Sequence, residues 1–328
     1  MPESAHITDE GRLLGMLQSG FPLSREPYED MGTKLGMTGD DVIRGIIALK
    51  KKGIVRQISP VVDARKLGFQ STLVAMKVDS PWISSAETYL SAHPGISHGY
   101  EREHEFNVWV TLSVPADADL NAEIQSMSMR SRAQSTIALP AIRVFKLRTN
   151  FSHAEDTSTE EEIPNGSGLP GRARLSQADR AIINGLQHDL SLNADPFKPL
   201  ADSLGMDVEK MLRQCRSLLR RGVIRRYGAS INHHNAGYRA NAMTCWDAPA
   251  DKMDTLGRLL ARDRNVSHCY ERATNKLWRY NLFAMVHSND RTACLREIEK
   301  LAAMTGLTDY AVLFSLKEFK KTRVMYRV

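Results

Sequence analysis

Cysteine is scarce and one-sided. The 328 residues hold four, Cys215, Cys245, Cys269 and Cys294, all in the second half and none in a CxxC spacing. That excludes a disulfide framework, a zinc ribbon and a cysteine-held iron–sulfur cluster. No apolar run approaches the roughly 20 residues that span a bilayer, so no transmembrane helix or membrane partner is expected. The opening Met1-Pro2-Glu3-Ser4-Ala5-His6 lacks the basic and apolar regions of a signal peptide, which points to the cytoplasm. Acidic charge is also short: the net charge is +6. A basic balance favours a polyanionic partner, either nucleic acid or a heavily carboxylated small molecule.

What is present is one program written twice. Apolar periodicity predicts helices over about 8–19, 28–35 and 40–52, the last closed by Gly53, followed by a strand from Ile54 to Ile58. Three helices and a strand form a winged helix-turn-helix pattern, here residues 8–62. Residues 63–151 change to alternation. A strand around Leu73–Val78, a helix over 82–92, strands over 97–102 and 106–114, a helix over 120–129 and a closing strand over 143–149 give the ferredoxin-like order βαββαβ. The stretch 152–174, with Glu160-Glu161-Glu162, Pro164-Asn165-Gly166-Ser167-Gly168 and Pro170-Gly171, is an expected linker. The program then repeats as a second winged helix over 175–231 and a second ferredoxin-like domain over 232–328. Gly222–Tyr227 mirrors Gly53–Ile58, and Ala236-Gly237-Tyr238 mirrors Leu67-Gly68-Phe69. The fold class is therefore α+β, as a tandem repeat.

The functional signal is Ser97-His98-Gly99-Tyr100-Glu101-Arg102-Glu103-His104-Glu105-Phe106-Asn107-Val108-Trp109. It returns about half the chain later as Ser267-His268-Cys269-Tyr270-Glu271-Arg272, followed by Trp278-Arg279-Tyr280-Asn281-Leu282-Phe283. In an alternating strand His98, Tyr100, Arg102 and His104 share one face, and a paired strand would bring Asn107 and Trp109 beside them. Rings that stack and guanidiniums that fork carboxylates suit a flat, aromatic, anionic ligand. Asn107 and Asn281 fit either hydrogen-bond donation to a ligand or a structural place in the hairpin. The copies differ: Thr274 stands where the first half has His104, and the second hairpin is four residues longer. The two pockets are not expected to be equivalent.

The winged helix and ferredoxin-like module resembles the Lrp/AsnC transcriptional regulators, whose sheet domain dimerises. Their recognition helix must approach phosphate. Here the third helices open on Asp40-Asp41 and on Asp207 and Glu209, which suit a helix dipole and repel DNA. Those acids are also ordinary caps. A DNA-binding regulator sensing heme or another tetrapyrrole stays the alternative, and a tetrapyrrole carrier a third. The run from His93-Pro94-Gly95 through Trp109-x-Thr111-Leu112, with its partner from Tyr270 to His287, resembles more specifically the siroheme decarboxylases, Lrp/AsnC-like proteins that became enzymes. The fused arrangement is similar to the form serving heme d1 synthesis in denitrifying bacteria.

The resemblance implies loss of the acetate carboxyls at C12 and C18 of siroheme, giving 12,18-didecarboxysiroheme, with no cofactor beyond the iron that siroheme brings. It implies His98, His104 or His268 as proton donor and Arg102 and Arg272 as carboxylate anchors. Tyr100, Tyr270, Trp109 and Trp278 would line or stack on the macrocycle, with Asn107 and Asn281 beside it. A histidine ligating the siroheme iron satisfies the same residue requirement. Homologous decarboxylase subunits and a homodimer are the implied protein partners.

Overall fold

The computed structural model of the chain describes residues 9–147, 171–231 and 240–328. The first winged helix consists of α1 (Asp9–Ser19), α2 (Pro27–Leu35), α3 (Gly39–Lys51) and β1 (Val55–Val62). Its helices bury Leu17, Met31, Val42, Ile46 and Leu49, the positions that recur at helical spacing. Gly36 closes α2 in the left-handed region at φ 75°. Thr38 and Asp41 form a capping box at the start of α3. The second winged helix repeats this as α6 (Gln177–Leu186), α7 (Lys198–Ser203), α8 (Val208–Arg220) and β7 (Ile224–Ile231), taking α4 and α5 for the helices of the first sheet domain below. Asp207 caps α8 through the Lys210 amide, and Asp41 also pairs with Arg44. Of the acids that open the third helices, Asp41 and Asp207 are thus engaged in capping, and Glu209 pairs with Arg216.

The two winged helices are one body. β1 and β7 pair with each other antiparallel, and the helices of both halves bury a single apolar cluster that includes Leu17, Ile46, Ile182, Phe197 and Met211.

The first sheet domain runs β2 (Phe69–Val78), α4 (Ile83–Ala92), β3 (Ile96–Arg102), β4 (Val108–Pro115), α5 (Leu120–Arg130) and β5 (Ala133–Leu139). A further strand, β6 (Ala141–Leu147), follows. The second runs β8 (Ala240–Trp246), α9 (Met253–Arg262), β9 (Val266–Arg272), β10 (Leu282–Ser288), α10 (Arg291–Thr305) and β11 (Tyr310–Lys321). Within each half the order is ferredoxin-like, β5-β2-β4-β3 and β11-β8-β10-β9.

The closing strands do not stay at home, and here the expectation of one closing strand over 143–149 is corrected. The home closing strand is β5, whose polar Gln134, Ser135 and Thr136 dilute the apolar alternation that a sequence reading depends on. Past Pro140 the chain crosses to the other half, where Leu147 lies opposite His268 and Ala141 opposite Arg272. β11 does the same in one continuous strand. Tyr310–Phe314 pair with β8, and Ser315–Lys321 then pair with β3, with Lys321 opposite His98. The exchange joins both sheets into one nine-stranded array among the described residues. Separate apolar cores lie beneath the helices of each half. A fourth, containing Phe106, Trp109, Trp278, Phe283 and Leu313, draws on strands of both halves. The linker expected over 152–174 is described only at 171–174, which form no regular element. Thr149 and Ala236-Gly237-Tyr238 also lie outside the described residues.

Candidate active site

On β3 the alternation sets His98, Tyr100 and Arg102 in a row. The His98 and Tyr100 rings are stacked with centroids 6.5 Å apart, and the Arg102 guanidinium carbon lies 4.9 Å from the Tyr100 ring centre. β9 repeats the row: His268 to Tyr270 is 6.2 Å and Arg272 to Tyr270 is 4.7 Å. Tyr100 faces Trp109 across the β3–β4 pair, and Tyr270 faces Phe283 across β9–β10. Gly99 leaves room between His98 and Tyr100, because a Cβ there would displace the Phe319 ring of the exchanged strand.

Both guanidiniums end inside the protein. Arg102 is 4% exposed and donates from Nη1 to the Leu313 carbonyl at 3.2 Å and to Ser315 Oγ at 2.9 Å. Arg272 donates from Nη1 to the Leu139 carbonyl at 2.8 Å. The Nε of each is buried without a partner, and among the described residues no carboxylate bonds to either. Burial lowers Arg102 to about 10 and pulls Arg272 below its ordinary value as well. The two charges flank one thiol, Cys245, which burial pushes up while both guanidiniums pull it down. An ion taken from water without a counter-charge costs several kcal/mol. Two such ions at equivalent motif positions call for an anionic ligand.

His98 has Nδ1 2.9 Å from Ser97 Oγ and is lowered to about 4, first by burial and then by Lys321 and Arg56, with Glu318 opposing. In the second half Ser267 Oγ stands 2.7 Å from both His268 Nδ1 and His287 Nε2. One hydroxyl hydrogen cannot satisfy two accepting nitrogens, so at least one of these imidazoles donates to the serine. His104 does not continue the row. β3 ends at Arg102, and the chain turns so that His104 Nδ1 accepts the Phe106 amide at 3.0 Å. Its half-buried ring meets Trp278 of the other half at 5.3 Å. Burial lowers His104, with Glu105 opposing.

Trp109 and Trp278 pack edge-to-face at 5.3 Å and are 1% and 4% exposed. Trp109 donates Nε1 to the Phe106 carbonyl, whereas Trp278 Nε1 is buried without a partner. Asn107 and Asn281 are committed to the backbone at both ends of the amide. Asn107 bonds Val78 N and O at 3.0 and 2.8 Å, and Asn281 bonds Ala248 N and O at 2.9 and 2.8 Å. Replacing Asn107 with Ala should therefore cost about 2 kcal/mol in urea unfolding, from orphaned backbone groups. An unchanged midpoint would place its role elsewhere.

The sequence reading missed Glu318, Lys321 and Arg56 beside His98. The first two arrive on the exchanged half of β11 and the third on β1, so no local spacing announces them.

The comparisons with known proteins agree with this architecture. The AsnC-like ligand binding domain matches residues 66–146 and 235–320, and the siroheme decarboxylase NirDL-like HTH domain matches 10–56 and 179–225. The chain is 35% identical to the siroheme decarboxylase of Hydrogenobacter thermophilus over 96% of its own length and 94% of the relative's. The siroheme decarboxylase beta subunit of Oleidesulfovibrio alaskensis is 40% identical over 46% of this chain and 97% of that subunit. The crystal structure of the siroheme decarboxylase NirDL superposes with a TM-score of 0.76 at 33% identity, covering 98% of this chain and 95% of that one. The same protein in complex with an iron-uroporphyrin III analogue gives 0.75. Two repeats on one polypeptide, each with the winged helix and the AsnC-like sheet, thus match along nearly the whole length: the chain belongs to the siroheme decarboxylase family, in its fused single-chain form.

Proposed function

We propose that this chain is a carboxy-lyase acting on siroheme, removing the acetate carboxyls at C12 and C18 to give 12,18-didecarboxysiroheme on the way to heme d1. The observation that carries the reading is the pair of buried guanidiniums, Arg102 and Arg272, each with an unpartnered Nε and no carboxylate of the described residues bonded to it. Siroheme carries eight carboxylates, and a guanidinium fixes a carboxylate with a rigid fork of donors.

The reaction breaks the bond between the acetate methylene and its carboxylate. Carbon dioxide leaves, and the electron pair stays on the methylene carbon, delocalised into the pyrrole and the macrocycle. A proton delivered to that carbon leaves a methyl group. No net oxidant or organic cofactor enters the balance. The protein must hold the ring, orient the ionised carboxylate and supply the proton. Arg102 and Arg272 anchor carboxylates, Tyr100 and Tyr270 flank them, and His98, His104 or His268 supplies the proton. His98 and His268 are held by the serines that precede them.

The test is anaerobic incubation of the purified protein with siroheme, followed by mass spectrometry. Loss of two carbon dioxides is expected. An unchanged mass in the presence of bound siroheme would refute the enzyme reading and leave a binding protein.

A further inference from the structure

Glu318 occupies a ready-made carboxylate site. One oxygen accepts from Arg56 Nη2 at 3.1 Å, and the other accepts from the Tyr100 hydroxyl at 3.1 Å with Lys321 Nζ 3.4 Å away. Arg56 also donates to the Lys321 carbonyl at 2.9 Å, which fixes its direction. The components come from three places: Arg56 from the first winged helix, Tyr100 from the motif strand, and Glu318 with Lys321 from the exchanged end of β11. Glu318 and Lys321 side chains are only 16% and 22% exposed. Beyond Tyr100 lies Arg102, with no carboxylate bonded to it among the described residues. The cluster thus holds three cationic side chains and one carboxylate around a phenol. One guanidinium arm, an ammonium and a phenol converging on one carboxylate is a geometry that recognises carboxylates in general.

Among the described residues the arrangement occurs once. Across β6 and β9, the positions equivalent to Glu318 and Lys321 are Val144, opposite Tyr270, and Leu147, opposite His268. Arg225, the counterpart of Arg56, is engaged with Asp63 at 2.8 Å. A siroheme ring is not twofold symmetric, since its acetates, propionates and methyls are unevenly placed. A subsite present on only one side of a pseudo-symmetric protein can select one orientation of such a ring.

We propose that Arg56, Lys321 and Tyr100 form a substrate-carboxylate subsite, and that Glu318 fills it in the substrate-free protein and yields it to a carboxylate of the tetrapyrrole. The inference rests on the tetrapyrrole reading above and adds a specificity role for the winged helix, which supplies Arg56. Glu318 is then a placeholder that keeps the cations solvated by charge until substrate arrives, and it competes with substrate for them.

Competition has a sign that a structural clamp does not. Removing the placeholder's charge should strengthen binding, whereas removing a cation should weaken it. The experiment is equilibrium titration with uroporphyrin III, an iron-free octacarboxylate, followed by quenching of its fluorescence, with thermal melts as a folding control. Glu318→Gln is expected to bind about tenfold tighter than the parent and Arg56→Gln about tenfold weaker. Equal or weaker binding by a folded Glu318→Gln protein overturns the placeholder. Should that variant fail to fold, Arg56→Gln decides alone: binding at the parent's strength overturns the subsite. Turnover of siroheme is read separately, so a protein that binds with these signs but does not decarboxylate refutes the enzyme reading and leaves the subsite standing.

Discussion

Replacing Arg102 with Met is expected to abolish most of the activity while leaving the fold as stable as before or more so. The two effects have one cause. The guanidinium is buried, donating to the Leu313 carbonyl and Ser315 Oγ, with Nη2 3.8 Å from Met285 Sδ and Nε unpartnered. Burial lowers it from its ordinary value to about 10, a displacement on the order of 3 kcal/mol against the charged form. Met fills similar volume without that penalty. The opposing loss is the bond to the Leu313 carbonyl, about 1–3 kcal/mol if that oxygen is left bare. The net lies between about zero and 2 kcal/mol in favour of the variant, as found when buried ions are exchanged for apolar side chains. Substrate binding reverses the account. A carboxylate that had two charged hydrogen bonds loses about 3 kcal/mol or more, so kcat/KM for siroheme should fall at least about a hundredfold. Urea unfolding and a siroheme assay on one preparation test both halves. Destabilisation by more than about 2 kcal/mol would show that Arg102 is structural, and parent-like turnover would remove it from the site.

Much of the fold is written locally and was legible for that reason. The helices declare themselves through Leu13 and Leu17, Val42 and Ile46, Met211 and Cys215, each pair four apart and buried. The row His98, Tyr100, Arg102 follows from a period of two, and its recurrence in the second half tells of duplication. Legibility ends where contacts cross between the halves. Nothing in Ala141–Leu147 or Ser315–Lys321 says that these strands pair with the other copy, because alternation reports a strand and not its neighbour. Hence Glu318 and Lys321 went unseen although they lie beside His98. Extending the period of two past Arg102 sets His104 on the strand face, but β3 ends at Arg102. There the ladder stops, and the chain turns to hand the Phe106 amide to the imidazole. The tryptophans were placed by chemistry as ring-stacking groups. They pack on each other, which composition cannot distinguish.

His98 should make stability fall with acid, and its replacement should remove that slope. An unfolded histidine titrates near 6.5, whereas the buried ring is lowered to about 4 by desolvation and then by Lys321 and Arg56. Between these values the unfolded chain takes the proton and the folded one does not. Stability is therefore full above about pH 6.5, declines as pH falls toward 4, and loses nothing further to this group below that. The full loss is about 3 kcal/mol. In urea unfolding at pH 7.5 and pH 4.5, the parent should lose most of that amount more than His98→Gln. Equal losses would mean that the ring is not held neutral.

The same shift constrains catalysis, because a ring neutral at pH 7 lacks the acidic imidazolium proton. If His98 is the donor, the substrate must bring the means of charging it, and carboxylates arriving beside Lys321 and Arg56 oppose the two cations that add to the effect of burial. Binding should then take up close to one proton near pH 6.5. Calorimetry in buffers of different ionisation enthalpy measures this directly, and His98→Gln should abolish the uptake. Uptake that persists in the variant would transfer the donor's role to His104 or His268, the latter joined through Ser267 to His287.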